Sequence, residues 1–572
     1  MAHRIGTIPL KRHLNFKTVV LGVLLLIVAG LVLVPSFFLF VGSFTSGNPF
    51  EKERSLTLDN YTRLFTGSRF FGLVGHTLWI TIWTTAFSVV LGAALAWIIT
   101  RTDVPFADIL SQLIMIPFYF SPFIGGICWS ILAAPRVGLI NMIIISLFPS
   151  LQGYDLLDAY TPTGIIWTMT LYFTPFVFLF TVGALSSMDP SLEESSKIFG
   201  ANNWKTATRI TLPLVLPAIS GGALLVFILA VGQFGVPAIL GIPGKYYVLT
   251  TEMYQLLSEP PPDYALVAAF GVILFGMSAL LVYLQSAILG KRQFTTVTGK
   301  GFRPRKVRMG NWRFFLFGIC LFYILISVVL PLAAVLWVSL VKFLVPKLSA
   351  ASYTLKHYKN ILFIYPPTKL AIKNSMILAF VGASIAMLFC GGISWILHRT
   401  RAPGRKTLEY ISMFPIAIPS VVFAVALLWT WINVPLIYGT IWLLLICYIT
   451  VYLPYGIKST SATLLQIDKS LEECAYVCGA SWTYTLRTVI VPLLKPGIIG
   501  GWTLMFIVFS RELASSLFLS TSKSVVMSVA IFDLYYQGVW NKLGALSILQ
   551  VIIVFTMLAM ARRIGGAGVK LS

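Results

Sequence analysis

Acidic side chains are scarce in this sequence, with 19 Asp and Glu among 572 residues against 42 Lys and Arg, and there are only five His and six Cys. A membrane-embedded enzyme would need a convergent cluster of His, Asp or Glu, and no paired acidic motif lies within an apolar run. Metal-ligand spacing is missing as well. Cys474 and Cys478 lie four apart, but no His or second Cys pair is near them in sequence. Cys128, Cys320, Cys390 and Cys447 sit inside apolar runs, where a thiol acts as a small hydrophobe. There is no G-x-x-x-x-G-K-[ST] phosphate loop, which excludes ATP binding by that route. The "ISGGA" at Ile219 runs straight into the apolar "LLVFILA" and carries no weight as a nucleotide motif.

Apolar residues are what the sequence has in plenty: 58% of the chain is hydrophobic and 11% charged, with a mean hydropathy of +0.88. Runs long enough to cross about 30 Å of hydrocarbon, roughly 20 residues each, recur along the whole length. The first, from Thr18 to Gly42, follows a basic leader with Arg4, Lys11, Arg12 and Lys17. It is too long for a signal peptide and lacks a small-residue cleavage site, so it reads as a retained anchor with a cytoplasmic N-terminus. The composition and periodicity predict an all-α polytopic membrane protein of about 12 transmembrane helices. Six precede and six follow the basic segment Lys291 to Arg313, which dictates domains 1–290 and 314–572 joined by a linker, 291–313.

Eight cations and no acid in that linker place it in the cytoplasm by the positive-inside bias, without need of a nucleic-acid partner. Arg101, Arg399, Arg401, Arg405, Lys406, Arg562 and Arg563 fall on the same side. An alternating count puts Lys342, Lys347, Lys356, Lys359 and Lys369 outside, in a long loop of the kind that obeys the rule poorly.

The chain repeats itself. Asp189, Glu194, Gly200, Pro213, Pro217 and Gly222 recur 279 residues later as Asp468, Glu473, Gly479, Pro492, Pro496 and Gly501. Upstream, "AWIITRTDVP" from Ala96 matches "SWILHRTRAP" from Ser394 at an offset of 298. The first half therefore carries about 19 extra residues between the two blocks, expected as an outer loop at Ser146 to Gly164. Six spans separate equivalent points, so both repeats enter the membrane in the same direction. Both polar stretches then face the cytoplasm as a short helix, a turn and a second helix. Asp189 or Asp468 caps the first helix, the "LEE" carboxylates lie in its first turn, and Gly200 or Gly479 ends it.

Copy one reads Glu194-Ser195-Ser196, then Gly200, then Ile210-Thr211-Leu212-Pro213; copy two reads Glu473-Cys474-Ala475, then Gly479, then Val489-Ile490-Val491-Pro492. This spacing resembles the coupling motif of type I binding-protein-dependent ABC importer permeases, commonly written E-A-A, three residues, G, nine residues, I-x-L-P. Small residues replace the alanines at three of four positions. The resemblance covers both halves and is similar to fused permeases in which one polypeptide supplies both transmembrane domains. It implies that Glu193, Glu194, Gly200, Ala201, Glu472, Glu473, Gly479 and Ala480 form two coupling loops. These would seat on two copies of a cytoplasmic ATPase, which would hold ATP and magnesium, while this chain carries no cofactor and no catalysis. An extracytoplasmic substrate-binding protein and a bacterial inner membrane complete the implied setting.

Continuing the 279 register pairs Gln233 with Glu512 and Gly232 with Arg511. Ionisable residues in an apolar run cost about 2.5 to 3.5 kcal/mol at a helix centre, so they must face protein or water. Arg511 either pairs with Glu512 or reaches the outer interface, or else Gln233, Arg511 and Glu512 line the translocation path or its gate. The "REL" to "LFL" stretch is similar to permeases for iron(III), with thiamine, polyamine and aminoethylphosphonate as alternatives. An ion-driven secondary carrier would also have repeats but would not need two cytoplasmic coupling motifs.

Overall fold

In the computed structural model the described residues are 10–51, 54–151, 153–154, 156–289, 306–343 and 352–565. Arg4 of the leader, linker residues 291–305, Lys347 of the lysine-rich loop, and Gln152 and Asp155 of the expected outer insertion lie outside them. Among the described residues all regular structure is helical, broken only by three isolated β-bridges. Water is absent from hydrocarbon, so a spanning backbone must satisfy its own polar groups, and helices do this locally. Buried hydroxyls follow the same logic: Thr77, Thr174, Thr181 and Thr450 each donate to the carbonyl one turn back.

Among the described residues ten helices are long and apolar enough to cross a membrane, and two bent pairs, each counted as one span, raise the number to twelve. Each bent pair is the third span of its half: Ala107–Tyr119 with Pro122–Ala133, bent by 95°, and Arg405–Ala417 with Ser420–Trp431, bent by 110°. Prolines explain the breaks. Pro122 and Pro419 hold extended or first-turn backbone and bring no N–H to continue the preceding helix.

The two sequence offsets reappear as element boundaries. Pro162–Ser187 corresponds to Ile441–Gln466 at 279, and Pro122–Ala133 to Ser420–Trp431 at 298. Between these blocks the first half has 28 residues (134–161) and the second nine (432–440), so the 19-residue surplus lies here. It begins upstream of the expected Ser146, because it includes a helix, Leu139–Leu147. Asn141 ties this insertion down, donating to Ala134 O (2.9 Å) and Leu157 O (2.8 Å) and accepting from Leu157 N (3.1 Å).

The compact units are partitioned differently from the sequence halves. One gathers Met1–Thr57, Pro367–Ala530 and Ile552–Leu571; the other gathers Leu58–Pro366 and Ile531–Val551. The first span, Leu10–Ser43, is thus built into the core of the second repeat, where Leu21, Val28 and Val32 are buried with Ile393, Leu408, Leu453 and Ile457. The seventh, beginning at Trp312–Ile324, joins the first repeat, and its Tyr323 hydroxyl donates to Leu171 O at 2.9 Å. Each repeat's opening span completes the other repeat's core.

Within each unit the second and fourth spans cross closely, and a small residue makes this possible. A Cβ on Gly92 would lie 2.8 Å from Val177 Cβ and 3.0 Å from Thr174 O. At the equivalent crossing the small residue is on the other helix: a Cβ on Gly456 would lie 2.4 Å from Cys390 Sγ. Gly92 and Val177 correspond to Cys390 and Gly456, so one contact is solved twice with the roles reversed.

Candidate functional site

Beyond the end of each fourth span the polar stretch folds as a short helix, Pro190–Ile198 in copy one and Ser470–Val477 in copy two. Asp189 Oδ1 accepts from Ser191 N, and Asp468 Oδ1 from Ser470 N, each at 2.9 Å. An aspartate turned onto the backbone two residues ahead starts a helix without using a helical bond. The Ser470 N–H also holds the Asp468 carboxyl below the usual carboxylate range.

Gly200 and Gly479 close these helices at φ +80° and +81°. The next residue reaches back five positions, Ala201 N to Ser196 O at 3.1 Å and Ala480 N to Ala475 O at 3.0 Å. A left-handed residue followed by this longer bond is the glycine-terminated helix end expected from the sequence. A second helix follows in each copy, Asn203–Thr206 or Trp482–Thr485, and then a single wider π-type turn, Ala207–Thr211 or Leu486–Ile490. These segments run without a break into the membrane helix, so the spans Trp204–Val231 and Thr483–Arg511 begin ahead of Pro213 and Pro492.

The paired glutamates have divided roles. Glu194 and Glu473 are exposed, whereas Glu193 and Glu472 are turned inward with side chains 14% exposed. Glu193 Oε1 lies 3.3 Å from Arg101 Nη2 and accepts from Thr211 Oγ1 at 2.8 Å. Glu472 Oε1 lies 2.9 Å from Arg399 Nε. Arg101 and Arg399 are the last residues of the second and eighth spans and are 1% and 5% exposed.

These arginines are the functional residues that sequence reasoning missed, having been accounted for by topology alone. The signal was present: they stand in the other repeated block, 298 apart, and a residue repeated there is available to meet one repeated in the motif. The copies differ in support. Neither arginine–glutamate contact is a directed hydrogen bond, but Arg399 Nη2 also donates to Leu464 O (3.0 Å) and Ile467 O (2.6 Å), whereas among the described residues Arg101 has the Glu193 contact as its only ion pair and no hydrogen bond from its guanidinium.

Each helix pair also exposes apolar side chains. Ile198, Phe199 and Trp204 are 83%, 89% and 76% exposed, and Val477 and Tyr484 are 87% and 62% exposed. In each copy an arginine at the end of a span meets the inward face of the motif helix, and aromatic or aliphatic groups stand exposed beside it.

Further along the fifth and eleventh spans, the helices Leu212–Val231 and Val491–Arg511 stop at Gln233 and Glu512. Glu512 is 8% exposed and its carboxylate is fully engaged. Oε1 accepts from Ser515 N and Ser515 Oγ, both at 3.0 Å, and Oε2 accepts from the Tyr452 hydroxyl. It therefore caps the next short helix, Ala514–Leu519. Gln233 is half-buried, and its backbone carbonyl accepts from Thr250 Oγ1 at 2.9 Å. The Glu512 carbonyl accepts from Ser528 Oγ in the same way. The two register-matched residues thus share a backbone role at a break, and only Glu512 adds a side-chain cap. Arg511 is the last residue of its helix, half-buried at the same break. No group of three or more metal-ligating side chains occurs among the described residues.

Compared with known proteins, residues 15–293 and 391–563 match the family model described as the binding-protein-dependent transport system inner membrane component. A ferric transport system permease of Actinobacillus pleuropneumoniae is 26% identical over 94% of this chain and 76% of its own length. A relative from Haemophilus influenzae, also named for ferric transport, is 28% identical over 88% of this chain and 78% of its own. A spermidine/putrescine permease of the same bacterium is 28% identical over 33% of this chain and 74% of its own. Among solved structures, a bacterial ABC transporter involved in alginate import aligns with a TM-score of 0.41 and 19% identity, over 50% of this chain and all of that one.

Proposed function

We propose, from the premise that this chain belongs to the family of binding-protein-dependent transport system inner membrane components, that its two motif helices transmit ATP-driven motion from a separate ATPase into the spans. The chain is an ABC importer permease with both family repeats on one polypeptide. The observation that carries the coupling role is the duplicated ion pair, Arg101 with Glu193 and Arg399 with Glu472. It joins each exposed helix to the end of a membrane span, so a push on the helix reaches the span directly. The bare apolar groups beside it, led by Phe199 and Val477, suit a groove on a protein partner.

In this reading two copies of the ATPase bind the cytoplasmic face, ATP and magnesium are held there, and both chain termini are cytoplasmic. A substrate-binding protein delivers cargo from the other side of a bacterial inner membrane. The cargo is iron(III), supported by relatives named for ferric transport that span most of this chain. The spermidine/putrescine permease, similar over a third of the chain, makes a polyamine the second reading. The breaks at Gln233 and Glu512, with Arg511 beside the latter, are the proposed gate positions of the path.

The test is reconstitution of the permease with its ATPase and binding protein in liposomes. Radiolabelled iron(III) should accumulate on addition of ATP and spermidine should not. Substituting Phe199 and Val477 by Asp should abolish ATPase capture while the permease still inserts. Capture unaffected by both changes would show that these helices are not the docking elements.

A further inference from the structure

Where the second motif helix meets the membrane spans lies a cavity of about 500 Å³. Its walls bring together His398, Arg399, Arg405, Asp468 and Lys469, with Leu465 on the apolar side. Arg399 is committed already, its charge balanced by Glu472 and its Nη2 given to two carbonyls. Arg405 and Lys469 are not. Arg405 Nη1 donates to Thr400 O at 2.6 Å, but among the described residues no carboxylate comes within ion-pair distance of either cation. Asp468, the one acid on the wall, is turned onto the Ser470 N–H.

Comparison of the repeats shows what this charge is not for. Arg399 and Asp468 have counterparts in Arg101 and Asp189, and they build the joint that both copies share. His398, Arg405 and Lys469 correspond to Thr100, Ala107 and Pro190. The fold of the joint therefore does not require them, and they add positive charge and donors to one copy only.

We propose that this cavity is a binding site for a phosphate-bearing anion, gripped by Arg405 and Lys469 with the His398 ring beside them. Its position favours a lipid source. The spans Pro366–Arg399 and Ile441–Gln466 both end at the cavity rim, the level at which headgroup phosphates lie, and Leu465, 66% exposed, offers an apolar wall to the chain below. Basic pockets between membrane helices at this level recognise anionic headgroups. A phosphate held here would touch the segment that leads directly into Glu472, linking anion occupancy to the position of that helix.

The test uses the full chain in nanodiscs of phosphatidylcholine containing a minority of phosphatidylglycerol, with tightly retained lipid measured by mass spectrometry. Wild type should retain phosphatidylglycerol well above its bulk fraction. Arg405→Gln with Lys469→Gln should reduce this by roughly 25-fold, since each basic residue near a membrane surface contributes about a factor of five. The charge-preserving pair Arg405→Lys and Lys469→Arg should keep it. If the double glutamine variant fails to fold, Lys469→Gln alone, at an exposed position, supplies the same comparison with a smaller loss. Binding of inorganic phosphate to the detergent-solubilised protein, dependent on the same two residues and without lipid retention, would assign the site to a soluble phosphate. Equal phosphatidylglycerol retention in wild type and the glutamine variants, with no phosphate binding, overturns the proposal.

Discussion

Arg101 and Arg399 look interchangeable in sequence, yet the structure gives them unequal support, and this sets a graded expectation. Glu193→Gln strands Arg101, whose buried guanidinium has no other ion pair among the described residues. Removing one partner of a buried pair costs about 3 to 5 kcal/mol. Glu472→Gln leaves Arg399 with the Leu464 and Ile467 carbonyls and should cost less. Thermal unfolding of both variants in detergent, read beside transport, should show Glu193→Gln as the more destabilised; the reverse order would contradict the geometry.

Glu512 belongs to the same scale. Losing its cap and stranding the Tyr452 hydroxyl should lower stability by about 1 to 3 kcal/mol in Glu512→Ala. Glu512→Gln keeps an acceptor for Ser515 and should fall between that variant and wild type. Normal unfolding with altered transport in Glu512→Gln would instead place the carboxylate in contact with the cargo.

At the scale of elements, two features are open to direct manipulation. A Cβ at Gly200 or Gly479 meets nothing within 4 Å, so any penalty there is backbone strain and not a clash. Gly479→Asn, tolerant of the left-handed region, should retain transport. Gly479→Val should lose about 1 to 3 kcal/mol and misdirect Ala480 and the helix after it.

The crossing of the second and fourth spans can be exchanged between copies. Gly92→Cys alone should destabilise, because the new side chain meets Val177 Cβ and Thr174 O. Combined with Val177→Gly it recreates the arrangement of Cys390 against Gly456 and should recover most of the loss. Absence of recovery in thermal unfolding would show that the two crossings differ beyond this contact.

For the whole molecule, the exchanged opening spans change what cutting the chain should do. Splitting near Gly299 leaves each fragment with six spans, but each then lacks the span that fills its own compact unit. Fragments expressed singly should be short-lived in pulse-chase labelling, and co-expression should restore both together. Removing Leu10–Ser43 alone should destabilise the second repeat, exposing Ile393, Leu408 and Ile457, more than the first. A first repeat that is lost first would refute the exchange.

Sequence alone determined the class, the span number and the duplicated motif, because hydropathy and fixed spacing are local or periodic properties. The glycine positions at 200 and 479 predicted where the first motif helices end, since a left-handed glycine acts on its own backbone; Pro213 and Pro492 lie within spans that begin earlier, at Trp204 and Thr483. The 19-residue surplus followed from subtraction. What the sequence left undecided was contact. Arg101 meeting Glu193, Glu512 capping its own break, and Leu10–Ser43 filling the other repeat each join residues whose spacing carries no instruction to meet. Only the tertiary structure chose those partners, because apolar helices have many near-equivalent faces and burial of scarce charge is settled by which of them pack together.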